Sequence, residues 1–217
     1  FVSGFVSGTE RMIYMFDGDL GSPTFGQLLQ TFSDPASELG GGFGFSIATV
    51  GKNILVGAPY TNTDSGAAYL FDADPTSATF GSLLHTFFNP NTDPFFTQFA
   101  RFGFSVAASN ELLYIAAPQN ILPGAPDKGS NVPNSGGAVY VFDGDPESLT
   151  FGQSLATIPN PDPRRSSNFE NFGFDISADG YNLLVGEPYF SLGERKLLNV
   201  GRVHLFQMQL AGENQFQ

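Results

Sequence analysis

Three copies of one aromatic-glycine signature run through this chain: Phe43-Gly44-Phe45-Ser46, Phe102-Gly103-Phe104-Ser105 and Phe172-Gly173-Phe174-Asp175. Each leads into a hydrophobic segment ending in a small-residue and proline tripeptide, namely Gly57-Ala58-Pro59, Ala116-Ala117-Pro118 and Gly186-Glu187-Pro188. The interval between the two is constant, from 43 to 57, 102 to 116 and 172 to 186. A third module reads Met12-Ile13-Tyr14-Met15-Phe16-Asp17, Ala67-Ala68-Tyr69-Leu70-Phe71-Asp72 and Ala138-Val139-Tyr140-Val141-Phe142-Asp143, and each Tyr precedes a Phe-Gly pair (Phe25-Gly26, Phe80-Gly81, Phe151-Gly152) by the same distance. Such self-similarity restricts the chain to one supersecondary unit stacked on copies of itself.

Constant intervals mark paired elements, whereas variable ones mark loops that accept insertions. The stretch from tripeptide to Tyr runs from 57 to 69 in one copy and from 116 to 140 in the next. Segments within each copy are short, aromatic or β-branched, and bounded by Gly, Pro, Asn and Asp, which is the pattern of strands and turns. Strands are expected near Phe43 to Thr49, Asn53 to Gly57, Ala67 to Asp72 and Ser82 to Phe87, with corresponding sets further on. The first two of each set are joined tightly (Val50-Gly51-Lys52-Asn53, Ser109-Asn110-Glu111, Asp179-Gly180-Tyr181), as in antiparallel hairpins. Four antiparallel strands in sequence order make a propeller blade. The fold expected is all-β, about three and a half repeats in a single array over 1–217: a partial blade at 11–32 and repeats at 43–87, 102–158 and 172–206.

Thirteen recognisable strands are three blades plus one strand, and a closed propeller takes four to eight blades. Three outcomes stay open. The chain is part of a larger polypeptide, separate chains combine, or further strands lie at Phe1 to Gly8 and Ala211 to Gln217. A start at Phe1 instead of Met fits a processed product or fragment.

Phe-Gly followed by Gly-Ala-Pro and then Gly66-Ala67-Ala68-Tyr69-Leu70-Phe71-Asp72 resembles the FG-GAP repeat family of β-propellers, to which integrin α-subunit head domains belong. The likeness spans roughly residues 11 to 206, and Leu83-Leu84-His85-Thr86-Phe87 gives it the style of bacterial secreted or cell-surface members. It implies an extracellular or cell-surface module that binds a protein or glycan partner, or builds structure, within a larger assembly. Further copies of the chain, or the rest of the same propeller, are partners of the same kind. Integrin-type repeats also place an Asp-rich calcium loop between the Phe-Gly strand and the Gly-Ala-Pro strand. Here that interval holds only the tight turns quoted above, too sparse in carboxylates for the six to eight oxygens calcium takes.

Acidic pairs recur elsewhere: Asp17 and Asp19, Asp72 and Asp74, Asp143 and Asp145, each between the third and fourth strands. One reading is a weak Ca²⁺ site per blade. The other is a turn held by side-chain to backbone hydrogen bonds.

No catalytic residue is nominated. His85 and His204 occupy ordinary repeat positions, His204 standing where Tyr14, Tyr69 and Tyr140 stand, so packing or hydrogen bonding is expected of both. Glu187 replaces Ala58 and Ala117; it reads either as a special ligand or acid of the last repeat or, as expected of Glu in general, as a solvated blade edge. Phe95, Phe96 and Phe99 either form a contact patch or fold back as a cap. Arg164-Arg165 reads as a solvated loop pair. A net charge of −12 with nine Lys plus Arg argues against nucleic acid and anionic membrane surfaces. No apolar run reaches the roughly 20 residues of a membrane span, and the absence of cysteine excludes disulfides and thiolate chemistry. A competing expectation is that the blades scaffold a secreted enzyme of hydrolase or lyase type whose catalytic residues are not recognisable.

Overall fold

The computed structural model describes residues 2–5, 11–37, 40–93, 97–120, 136–161, 171–189 and 200–208. Fourteen strands lie within them: β1 (Val2–Phe5), β2 (Arg11–Phe16), β3 (Leu28–Ser33), β4 (Ser46–Val50), β5 (Asn53–Ala58), β6 (Ala67–Asp72), β7 (Leu83–Phe87), β8 (Val106–Ser109), β9 (Leu112–Ala117), β10 (Ala138–Asp143), β11 (Ser154–Pro159), β12 (Ile176–Asp179), β13 (Asn182–Glu187) and β14 (Arg202–Gln207). They form four sheets in the orders β1-β2-β3, β4-β5-β6-β7, β8-β9-β10-β11 and β12-β13-β14, every pairing antiparallel. The architecture is therefore all-β and blade-like, a partial propeller whose described strands do not close a ring. A short helical turn, Thr61–Asp64, lies between β5 and β6, and Asn62, Thr63 and Asp64 hold left-handed backbone there.

Two expectations are revised. The strand count rises from thirteen to fourteen because β1 pairs with β2, Val2 opposite Tyr14 and Phe5 opposite Arg11, so the Phe1 to Gly8 segment does hold a strand. The first strand of each repeat also begins later than its signature. Gly44, Gly103 and Gly173 all have φ near +80 to +90, so the Phe-Gly pair forms a turn ahead of β4, β8 and β12. The tail from Ala211, residues 121–135 within the longer tripeptide-to-Tyr stretch, Phe95, Phe96 and Arg164-Arg165 lie outside the described residues.

Within a strand, side chains alternate between two faces, and in the second and third sheets both faces are covered. That is why the β6 and β10 segments read as continuous apolar runs and are buried at every position. On one face of the second sheet Phe43, Ile54, Val56, Tyr69 and Phe71 pack on Ile13 and Phe32 of the first. On its other face Leu55, Ala68, Leu70 and Phe87 pack on Phe102, Ile115, Tyr140 and Phe142 of the third. The third and fourth sheets meet the same way, through Tyr114, Val139 and Val141 against Phe172, Leu183 and Val185. The core is thus a series of layers between neighbouring blades, as expected when each unit contacts only its neighbours.

The first phenylalanine of each signature is the anchor of these layers. Phe43 lies 5.9 Å from Tyr69 and 6.0 Å from Phe71, Phe102 lies 5.7 Å from Tyr140 and 6.0 Å from Phe142, and Phe172 lies 5.1 Å from His204 and 6.0 Å from Phe206, centroid to centroid. These edge and tilted pairings suit the aromatic quadrupole and add to the area buried. A β-bulge recurs before Phe16, Phe71 and Phe142, so the same irregularity aims each of these rings.

Candidate functional site

The acidic pairs sit in the turns between third and fourth strands, and all three are built alike. Asp17, Asp72 and Asp143 accept the backbone N–H of Asp19, Asp74 and Asp145 at 2.9, 2.9 and 3.0 Å. Their second oxygen accepts the hydroxyl of Thr24, Thr79 and Thr150. Asp19, Asp74 and Asp145 in turn accept the N–H of Gly21, Thr76 and Glu147, each at 2.9 Å. The turn closes when Gly26, Gly81 and Gly152 donate back to the carbonyls of Asp17, Asp72 and Asp143. Sequence reading found the aspartates but missed the threonine seven residues on, which was visible in Ser22-x-Thr24, Ser77-x-Thr79 and Ser148-x-Thr150. Each pair brings two carboxylates, and no group of three or more His, Cys, Asp or Glu gathers in a metal-holding arrangement among the described residues.

These bonds favour the charged carboxylates. Hydrogen bonds from Ser22 and Thr24 hold Asp17 below its usual value. Burial pushes Asp72 and Asp143 up, but donors from Ser77, Thr79 and the Asp74 N–H, or Ser148, Thr150 and the Asp145 N–H, outweigh it and leave both lowered. Asp74 is held lowest, at about 2 against 3.8, first by Lys52 Nζ at 2.7 Å and then by Thr76. A folded-state pKa below the unfolded one contributes stability that is complete above the unfolded value and lost as pH falls through the folded value. Stability should therefore decline as pH falls from about 4 to about 2. Asp74→Asn should flatten that decline, as read from urea midpoints measured across the same window.

The second phenylalanine of each signature does something different from the first. Phe45 and Phe104 are 4.7 Å apart and Phe104 and Phe174 5.0 Å apart, so three blades contribute to one continuous row of rings. Tyr60 caps one end edge-on to Phe45 at 5.7 Å, and Tyr189 caps the other edge-on to Phe174 at 6.1 Å. The Arg101 guanidinium lies over Tyr60, 5.4 Å from the ring centre. Phe45, Phe174 and Tyr189 are exposed and Phe104 and Tyr60 half-buried. The row stands beside the innermost strands β4, β8 and β12, which neighbour one another in that order. The signal for it was the constant Phe-Gly-Phe spacing, which by itself does not say which ring is core and which is surface.

Glu187 corrects an expectation. It is wholly buried instead of solvated, because its strand pairs Glu187 with Arg202 and Val185 with His204, placing both basic side chains over it. Arg202 donates to Oε2 through Nε at 2.9 Å and also approaches through its terminal nitrogen at 2.8 Å. His204 Nε2 lies 2.9 Å from the same oxygen, and Asn160 Nδ2 donates to Oε1 at 2.7 Å. One blade earlier, the same place holds a neutral chain, in which Asn89 donates to Asn120 and Asn120 to the Tyr140 hydroxyl. His204 is packed between Phe172 and Phe206 as well. His85 rests on Phe87 at 4.6 Å and Phe151 at 5.5 Å, and burial lowers its pKa. Phe99 is exposed, so it does not act as a cap.

Stacked antiparallel blades, three of them opened by a Phe-Gly turn and joined across an aromatic row, define a propeller-type repeat array. Residues 33–71, from the end of β3 through most of β6, match the family model described as FG-GAP repeat. The chain thus carries an FG-GAP repeat, and its motifs recur in the two blades that follow. No curated protein matches the chain. Among solved structures, the crystal structure of the computationally designed Ika4 protein aligns over 77% of this chain and 91% of its own, at 11% identity and a TM-score of 0.31. No helix among the described residues is long and apolar enough to cross a membrane.

Proposed function

We propose that this chain is a contact module, an extracellular or cell-surface binding and structural unit that engages a protein or glycan within a larger assembly. The aromatic row of Tyr60, Phe45, Phe104, Phe174 and Tyr189 carries this reading. Rings held at fixed spacing across three blades present rigid apolar area that costs little side-chain entropy when covered. Faces of this kind, with a cation at one end, suit both aromatic-rich protein contacts and the apolar faces of sugar rings. The FG-GAP repeat supports a binding or structural role, and the family resemblance of the three blades supports an extracellular setting.

The test is capture of defined ligands. The purified chain is applied to immobilised panels of glycans and of extracellular proteins, alongside Phe45→Ser and Tyr60→Ser variants. Saturable binding that both variants reduce by about tenfold or more supports the module. Binding that survives both substitutions unchanged, or none on either panel, refutes it. Labelling of intact source cells by an antibody to the chain addresses location, and labelling only after permeabilisation would place it inside.

A further inference from the structure

Successive sheets in this chain are joined twice by the same device. Gly66, with φ +86, forms a parallel bridge with Phe102, whose N–H donates to the Ser65 carbonyl at 3.0 Å. Gly137, with φ +81, meets the Phe172 carbonyl in the same way, and the Phe172 N–H donates to Gly136 at 3.3 Å. Any side chain on Gly66 or Gly137 would collide with that docked backbone, so both positions need glycine. Next to the first of these sockets Gly57 lies against the carbonyl of Gly103, the second residue of the incoming signature.

Gly201 is the same position in the last sheet, one residue before β14. It keeps the conformation, φ +70, but among the described residues the nearest atoms to where a Cβ would be are backbone atoms of Pro188 and Glu187, none closer than 3.6 Å. Beside it is a groove of about 510 Å³ lined by Phe174, Gly186, Pro188, Val200, Gly201 and Val203, among others. The sheet face beyond is uncovered too. Val203 is 68% and Leu205 60% exposed, whereas the matching Ala68, Leu70 and Val139 are fully buried and Val141 nearly so. Phe174, the last ring of the row, has no following signature phenylalanine among the described residues.

We propose that this face is a docking site for a β-strand led by Phe-Gly-Phe, carried by another repeat of the same class. The occupant is set by continuity with the two filled interfaces. Its first phenylalanine would bring backbone to Gly201, its glycine would pass over Gly186 where no Cβ stands in the way, and its second phenylalanine would extend the row from Phe174. A whole second copy of this chain is a poorer fit, because all three of its signatures are already engaged internally and two copies repel at a net charge of −12 each. This inference rests on the contact-module reading and names one of its partners.

The experiment uses the full chain and a fluorescent peptide of residues 101–109, Arg101 to Ser109, read by anisotropy. Expected is saturable binding, weakened about tenfold or more when the peptide carries Phe102→Ala and Gly103→Val. Gly201→Val in the protein should weaken it similarly. Because that variant strains the backbone, Leu205→Glu on the exposed face is the second one, expected to keep the fold by circular dichroism and to lose the peptide. No saturable binding, or equal binding of altered and natural peptides, overturns the proposal. So does concentration-dependent self-association that Leu205→Glu abolishes without peptide capture, since it assigns the face to a second copy. Failure here with row-dependent ligand capture retained would leave the contact-module reading standing.

Discussion

Replacing Phe102 with alanine should lower the unfolding free energy by about 3–5 kcal/mol, the usual cost of truncating a fully buried phenylalanine. Phe102 is inaccessible to solvent and touches both blades, packing on Tyr140 and Phe142 of its own sheet within the layer that holds Leu70 and Phe87 of the previous one. The lost ring leaves a cavity that cannot collapse easily, because the backbone on either side is pinned at Gly66 and Gly103. For a chain of this size the melting temperature should fall by roughly 6–20 °C. Phe104→Ala offers the contrast. Its ring is only partly buried in the exposed row, so the loss should be a fraction of that at Phe102. Thermal melts of the two variants, followed by circular dichroism, compare them directly. Since the array is held by nearest-neighbour interfaces, Phe102→Ala should also split one unfolding transition into two. Equal losses at Phe102 and Phe104 would contradict the division of labour between the two phenylalanines.

That division shows what sequence could and could not convey. Blade order, strand identity and the turns at Gly51, Asn110 and Gly180 were legible because each depends on local pattern: two-residue periodicity, apolar runs and positive-φ residues between them. Asn110 and Glu111 both have positive φ, as that type of hairpin requires. The strand at Val2–Phe5 was only a suggestion, because Val-Ser-Gly-Phe is short, carries Ser and Gly at its centre and is recruited by pairing with β2. The aromatic row was hidden because its three rings are about 60 to 70 residues apart and meet only after the blades stack. Glu187 was misjudged for the same reason. General exposure favours a solvated glutamate, but the partners that reverse this, Arg202, His204 and Asn160, come from another strand and another blade. Tertiary partners decide such positions, and residue type alone does not report them.

Arg202→Ala should cost about 3 kcal/mol, near the low end for breaking a buried ion pair because the arginine is itself partly exposed. The loss comes from the carboxylate left behind. Glu187 is fully buried, and without the guanidinium its partners among the described residues are Asn160 and His204 alone. The ion pair should nevertheless add little net stability, since bringing both charges out of water offsets most of their attraction. The chain contains its own comparison. At the corresponding places the second sheet has Ala58, Ala67 and Tyr69 and the third has Ala117, Ala138 and Tyr140, all buried without charge. Combining Glu187→Ala, Arg202→Ala and His204→Tyr rebuilds that apolar arrangement in the fourth sheet. The triple variant should lie within about 1 kcal/mol of the natural chain, several times closer than Arg202→Ala alone. Guanidinium denaturation of the natural chain, the single variant and the triple variant measures the difference. If the triple variant falls as far as the single one, the charged cluster is worth more than the apolar set that occupies the same place in the other two blades, and the burial argument fails.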